Sequence, residues 1–343
     1  MINNILNEKN LDAIIITSRE NRQYLSGFTG SDGLLVLTSD KKYLLVDGRY
    51  TIQAKQQTKG FEVVEFKASP YKYIEEFGFK KIGFEDGNIL YSQYQKLPNC
   101  DKIGVSADIN NLRMVKNKIE FDKMQKAASI ADKAFSHILN FIKCGVTERE
   151  LANEIDHFMK CSGAEKTSFD TIVASGERTA LPHAGPSDNA VKNGDFVLMD
   201  FGCVYEGYCS DMTRTVAVGE VSDEKRKIYE TVLDAQQNAL NKIKAGELCR
   251  DIDKIARDII TEKGFGSNFG HGLGHGVGLE IHEEPRLSPK SEQRLSDGMV
   301  VTVEPGIYVE GLCGVRIEDM VYVNGDGYIN FTASSKELIV LKN

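Results

Sequence analysis

The stretches LMDFGCVYEGYCSDMT (198–213) and VTVEPGIYVEGLCGVRIED (301–319) decide how this chain is read. Each carries two acids on either side of a glycine-containing turn, Asp200 and Asp211 in the first, Glu304 and Glu318 in the second. The flanking segments are apolar or alternating, as strands are. A hairpin makes cross-strand neighbours of such residues, with directly opposed Cβ atoms about 5 Å apart. A first turn centred near Tyr205 and Glu206, with Gly207 supplying turn freedom, puts Asp211 roughly opposite Asp200. The second hairpin is centred on Gly311, so that Glu304 meets Glu318, with Arg316 on the face of Glu318 and Asp319 on the other. A single strand-end acid often only caps a turn, and Glu318 beside Arg316 is compatible with a buried ion pair. Two facing pairs are harder to dismiss, because acids in apolar strands repel, and some must keep their protons unless a cation joins them.

Between the two stretches runs GHGLGHGVGLEIHEEPRL (270–287), which holds His271, His275, His282 and Arg286. Glycine here permits close backbone approach to a ligand, and histidine supplies imidazole. The segment has no GK[ST] and no GxGxxG register, so it is not a phosphate loop, and HEEPR is not the HExxH of a zincin. His183, in TALPHAGPSDN (179–189), stands alone, and an isolated loop histidine is usually inert. His137 and His157 lie off the apolar stripes of their helices and read as solvated. One histidine with four carboxylates suits two divalent cations, whose charge the acids balance. Oxygen-dominated ligation favours manganese, with cobalt or zinc as alternatives.

The remaining chain frames this cluster. With 343 residues there is room for two domains. A net charge of −8 without a basic stripe argues against nucleic acid as a partner. No apolar run approaches the ~18 residues of a membrane span, and MINNILNEKN lacks the layout of a signal peptide. Seven cysteines without a CxxC fit free thiols in a reducing cytoplasm. Residues 1–112 read as an α/β domain with a mixed sheet: LDAIIIT (11–17) is a strand, GLLVLTSDKKYLLVDG (33–48) is a hairpin turning near Ser39 and Asp40, and helices follow Asp47 and Ser69. A linker at 113–117 leads into a second domain, 118–343. It opens with a long helix whose apolar positions run from Met124 to Ile142 and which Gly145 ends. Gly145 to Gly163 and Gly246 to Gly264 bracket two helical segments of equal length, each followed by strands carrying one acid pair. This spacing raises the idea of a duplication, with the acids meeting between two halves.

These motifs resemble, over essentially the full length, the Xaa-Pro peptidases (aminopeptidase P and prolidase) of the pita-bread metallopeptidase clan. The resemblance rests on MDFG, SDMTRT, GHGLGHGVGLEIHE, VEPGIY and GVRIED, and on the spacing Asp200–Asp211–His275–Glu304–Glu318. It implies an α/β front domain followed by a pita-bread catalytic domain with pseudo-twofold halves. It also implies that Asp200, Asp211, His275, Glu304 and Glu318 ligate two metals, with Glu304 also carrying a proton. His183 and His282 then contact substrate and stabilise the tetrahedral intermediate, which reverses the reading of His183 as inert. His271 and Arg316 become pocket residues, and Arg286 matches an arginine that in some prolidases binds the substrate's terminal carboxylate. YLSGFTGSDG (24–33) and VDGRYTIQA (46–54) resemble the smaller domain of aminopeptidase P, which implies a homodimer and favours peptides with proline second. Arg286 and the compact length fit the alternative, a dipeptide-restricted prolidase. A non-catalytic peptide-binding relative would lack metal ligands, and all five positions are filled here.

Overall fold

A computed structural model describes residues 1–342. The chain divides into two compact units, Met1–Arg113 and a second beginning at Met114.

The front unit is built on six strands, β1 (Ala13–Ile16), β2 (Leu34–Leu37), β3 (Lys42–Val46), β4 (Glu62–Glu65), β5 (Lys81–Phe84) and β6 (Asp101–Gly104). They form one mixed sheet in the order β4-β3-β2-β1-β5-β6. The β2–β3 hairpin is antiparallel, with Leu37 opposite Lys42, and the outer pairings are parallel. The helices are α1 (Ile2–Lys9), α2 (Arg19–Ser26), α3 (Thr51–Gln57), α4 (Pro70–Glu75), α5 (Tyr91–Tyr94) and α6 (Ser106–Asn111). Ile14 and Ile16 face one apolar layer while Ala13 and Ile15 face another, so both faces of the sheet are covered. This is why β1 reads as a continuous apolar run.

The second unit opens with α7 (Lys118–Ile138), capped by Asn117, whose side chain accepts from the Ile119 and Glu120 amides while Glu120 reaches back to the Asn117 amide. The helix stops at Ile138, short of the predicted end at Gly145. The Asn140 amide binds the Ser136 and His137 carbonyls there, ending the ladder. After it come α8 (Glu148–Cys161), α9 (Asp223–Leu240) and α10 (Cys249–Glu262).

The duplication is written into the backbone. Helices α8 and α10 are both 14 residues long. Gly145, Gly163, Gly246 and Gly264 all adopt positive φ, at 90°, 103°, 89° and 91°. The Gly145 amide donates to the Val191 carbonyl at 2.9 Å, and Gly246 donates to Leu295 at 2.8 Å. One half supplies β7 (Lys166–Thr167), β8 (Ile172–Ser175), β9 (Asp195–Phe201), β10 (Cys203–Tyr205), β11 (Tyr208–Cys209) and β12 (Met212–Val218). The other supplies β13 (Gly274–Gly276), β14 (Glu283–Leu287), β15 (Val300–Val303), β16 (Gly306–Val309), β17 (Cys313–Arg316), β18 (Asp319–Asn324) and β19 (Gly327–Asn330), and β20 (Val340–Leu341) closes against β12. The main sheets run β20-β12-β9-β8 and β14-β13-β15-β18-β19. One apolar core lies under α7 and α8, and another under α9 and α10. Among the described residues no disulfide joins any cysteines, and no helix is long and apolar enough to cross a membrane.

Candidate metal and peptide site

Register fixes where the acids fall. In the first hairpin Thr213, not Asp211, is the partner of Asp200. Tyr205 pairs with Tyr208, so the turn residues are Glu206 and Gly207, with φ of 46° and 84°. The turn centre therefore lies one residue later than predicted, which moves Asp211 from roughly opposite Asp200 to the diagonal position on the same face. The second hairpin turns at Gly311, with Val309 opposite Cys313 and Val303 opposite Asp319 in flanking strands of one shared register. Glu304 and Glu318 sit where those strands meet. Gly202 and Gly274 make the close packing possible, since a Cβ would stand 1.9 Å from the Ser210 carbonyl oxygen and 2.0 Å from that of Thr302.

All ten predicted residues line one cavity of about 660 Å3: His183, Asp200, Asp211, His271, His275, His282, Arg286, Glu304, Arg316 and Glu318. Ligand atoms of Asp211, His275 and Glu318 lie within 4.8 Å of one another, and all three residues are buried. The His275 Nδ1 sits 3.0 Å from the Gly276 carbonyl. A carbonyl only accepts, so Nδ1 carries a proton, and Nε2 faces the acids. Nε2 lies 3.3 Å from Glu304 Oε1 and 3.6 Å from Asp211 Oδ2.

The other two acids are turned to neighbours. Asp200 accepts from the Arg316 guanidinium, and Glu304 Oε1 accepts from the Thr302 hydroxyl at 3.1 Å. Arg316 also donates to the Thr213 hydroxyl at 3.1 Å, to the Tyr308 hydroxyl at 2.8 Å and to the Pro182 carbonyl beside His183. Tyr308 in turn stands 3.0 Å from His271 Nε2, and Thr213 donates to Glu318 Oε2 at 2.7 Å. Nothing in their residue type marks Thr213, Thr302 and Tyr308 in the sequence. Their only signal is spacing of two or four residues from an acid of the cluster on an alternating strand.

The electrostatics are those of a cage built for cations. Burial, then the charges of Asp200 and Glu304, raises the Asp211 carboxyl well above the usual range. Burial and then Asp211, Glu304 and Asp200 do the same to Glu318. Asp200 is also raised, by burial first, with Arg316 opposing. Burial would raise Glu304 as well, but the hydrogen bond and charge of His275 outweigh it and hold it low. Burial lowers Arg316, yet Tyr308, Asp200 and Glu304 together carry it above the ordinary arginine value. His282, its ring 4.5 Å from that of His275, is pushed down to about 4 by burial and then by His275 and Arg286. Burial also lowers His271. Both histidines are therefore neutral near pH 7.

The residues fit metal on their own evidence. Asp200 Oδ1 and Glu318 Oε1 are buried without any hydrogen-bond partner, an arrangement that costs free energy unless a cation completes it. Carboxylates with one imidazole are the donors that hard or borderline dications take.

Two exposed or half-exposed groups complete the rim. His183 lies on the loop after β8, and Arg286 on β14 is the cross-strand partner of His275, 4.0 Å from Glu284. His137 falls outside the cavity and corrects the reading of it as solvated. It stacks on Phe158 at 4.2 Å and binds Glu154 at 2.6 Å, bridging α7 and α8.

Comparison with known proteins agrees with this geometry. Residues 122–325 match metallopeptidase family M24, and residues 2–115 match the creatinase/prolidase N-terminal domain. The chain is 40% identical to an Xaa-Pro dipeptidase of Pyrococcus furiosus, over 97% of each chain. A solved Xaa-Pro dipeptidase from Bacillus anthracis superposes with a TM-score of 0.96 at 45% identity, covering 99% of this chain and 98% of that one. A solved X-Pro aminopeptidase from Thermotoga maritima gives 0.89 at 40% identity, covering 96% and 98%. A carboxylate cage between two duplicated halves, with these relatives, makes the chain a member of metallopeptidase family M24 with a pita-bread fold, a metallo-exopeptidase that works with divalent metal ions.

Proposed function

We propose that this chain is an Xaa-Pro dipeptidase that uses two divalent ions, manganese first among them, in place of the aminopeptidase P reading that the front-domain motifs favour. Relatives named as dipeptidases at 40% and 45% identity support it. The observation that carries it is Arg286, which brings a half-exposed guanidinium to the cavity rim across the strand from His275. A cation there suits the free carboxylate of a dipeptide's proline and has no such partner in a longer peptide.

The bond before proline is a tertiary amide without an N–H, so a site for it must work without that donor. Asp200, Asp211, His275, Glu304 and Glu318 would hold the metals, which supply a water acidic enough to attack and a Lewis acid for the carbonyl. Arg316 and Thr213 orient the acids by taking up Asp200 and Glu318 oxygens. Glu304 would accept a proton and pass it to the departing proline nitrogen. His183 and His282 at the rim donate to the oxyanion, and His271 packs below them against Tyr308. The acting unit is a homodimer in the cytoplasm.

The test is turnover of Xaa-Pro against Xaa-Pro-Yaa with manganese added. Cleavage of the dipeptide alone is expected, and Arg286→Ala raises KM for it. Equal turnover of both would instead establish the aminopeptidase, a reading favoured by the Thermotoga maritima relative.

A further inference from the structure

The cavity carries one acid that none of the chemistry above uses. Asp170 lies in the segment between β7 and β8, exposed, and it lines the same cavity as the metal-site acids. Among the described residues it has no ion pair or hydrogen bond, whereas Asp200, Glu304 and Glu318 each accept one and Asp211 faces His275.

Its position is fixed from both sides. The Ser168 amide donates to the Gly202 carbonyl at 3.0 Å and its hydroxyl to the Ser210 carbonyl at 2.7 Å. On the other side, the buried Thr171 hydroxyl donates to Asp156 of α8. Ile172, two residues on, is the cross-strand partner of Asp200. Asp170 therefore belongs to the β8–β9 wall of the cavity, while Arg286 belongs to the β13–β14 wall of the other sheet. The cavity has an acidic rim on one sheet and a basic rim on the other.

A bound Xaa-Pro dipeptide is polar along its length. With its proline carboxylate at Arg286, its first residue faces the β8–β9 wall. Phe169 and Ile172, the neighbours of Asp170 in this wall, line the cavity and offer apolar surface to an aliphatic stem. An apolar surface ending at an unpaired, solvated carboxylate suits a lysine or arginine side chain, which buries its methylenes and keeps its cation in water.

We propose that Asp170 is a specificity-determining residue that receives the side-chain cation of the substrate's first residue, so that Lys-Pro and Arg-Pro are preferred to neutral and acidic Xaa-Pro. This rests on the Xaa-Pro reading of the site.

The experiment compares kcat/KM for Lys-Pro with that for norleucine-Pro, which has the same carbon stem and no charge. The ratio is taken within each enzyme, so a general change in activity cancels. An exposed pair is worth about a two- to fivefold preference for Lys-Pro in the wild type, carried by KM, and the preference shrinks as potassium chloride is raised. Asp170→Asn brings the ratio close to one, Asp170→Glu keeps it, and Asp170→Lys inverts it. A wild-type ratio of one or below, or the same ratio in wild type and Asp170→Asn, overturns the proposal while norleucine-Pro turnover leaves the Xaa-Pro reading standing. Absence of turnover on both dipeptides overturns the two together.

Discussion

Replacing Lys116 by methionine isolates a buried charge pair that holds the strand bearing the rim residues. Lys116 Nζ donates to Glu283 at 2.9 Å, and the two side chains are 1% and 4% exposed, so solvent screens neither. Its own amide is anchored to the Gly298 carbonyl at 2.8 Å. Glu283 follows His282 directly and opens β14, three residues before Arg286. Removing one partner from a buried pair costs about 3–5 kcal/mol, because the other charge is left in a dry site. With a urea slope of about 3 kcal/mol/M, the midpoint of the second unit falls by about 1–1.7 M. The chain has no tryptophan, so circular dichroism is the signal, and two compact units call for separate fits of any two transitions. Adding Glu283→Leu to Lys116→Met restores most of the loss, since an apolar pair of similar volume has no desolvation to offset. A single variant that loses less than about 1 kcal/mol, or a double variant weaker than the single, refutes the account. KM is expected to rise in Lys116→Met, because His282 and Arg286 lose their anchor.

Acid sensitivity follows from Glu148, whose buried carboxylate would be raised by burial alone but is held below the ordinary value by Ser187, Ser175 and the charge of Arg178. A depressed carboxyl contributes stability that is complete above its unfolded pKa of about 4.3 and is lost as pH falls through the folded value, so Glu148→Gln should flatten that part of the acid limb in a denaturant series from pH 5 to 2. Chelation should abolish turnover and lower the thermal midpoint, with manganese at 100 times its Kd restoring about 2.7 kcal/mol. Asp211→Asn should lose both the activity and this metal-dependent stabilisation, and full stabilisation in that variant would remove Asp211 from the ligand set. Gly274→Ala drives a Cβ against the Thr302 carbonyl next to His275, with an expected loss of about 1–3 kcal/mol and of metal affinity measured by calorimetry.

What sequence could reveal about this molecule depended on whether a residue acts through its own chemistry or through its place. The glycine spacing of the two halves was visible, and so was the turn at Gly311, because Gly forces the centre of that hairpin. The first hairpin turns one residue later than its pattern predicts because Glu206 adopts a left-handed φ of 46° that its identity does not announce. Thr213, Thr302 and Tyr308 carry no signal as residue types, and they matter only because register puts their hydroxyls beside Glu318, Glu304 and Arg316. The end of α7 is hidden in the sequence because the apolar repeat continues to Ile142 after Asn140 has already closed the helix. The neighbours of His183 do not distinguish it from an ordinary loop histidine; the motif resemblance points to it, and the cavity brings it to the acids.

The Asp200–Arg316 pair spans 116 positions of chain. At a synthesis rate of about 5–20 residues per second, Asp200 exists for about 6–23 s before its arginine has been made. Glu318 follows Arg316, so the cage is incomplete for all of that interval. The first half of the second unit must wait with an acid that has no buried partner, in water or still protonated. The four acids and the imidazole of the cage are thus all present only once both halves have been made, so the complete cage belongs to the last stage of the molecule's assembly.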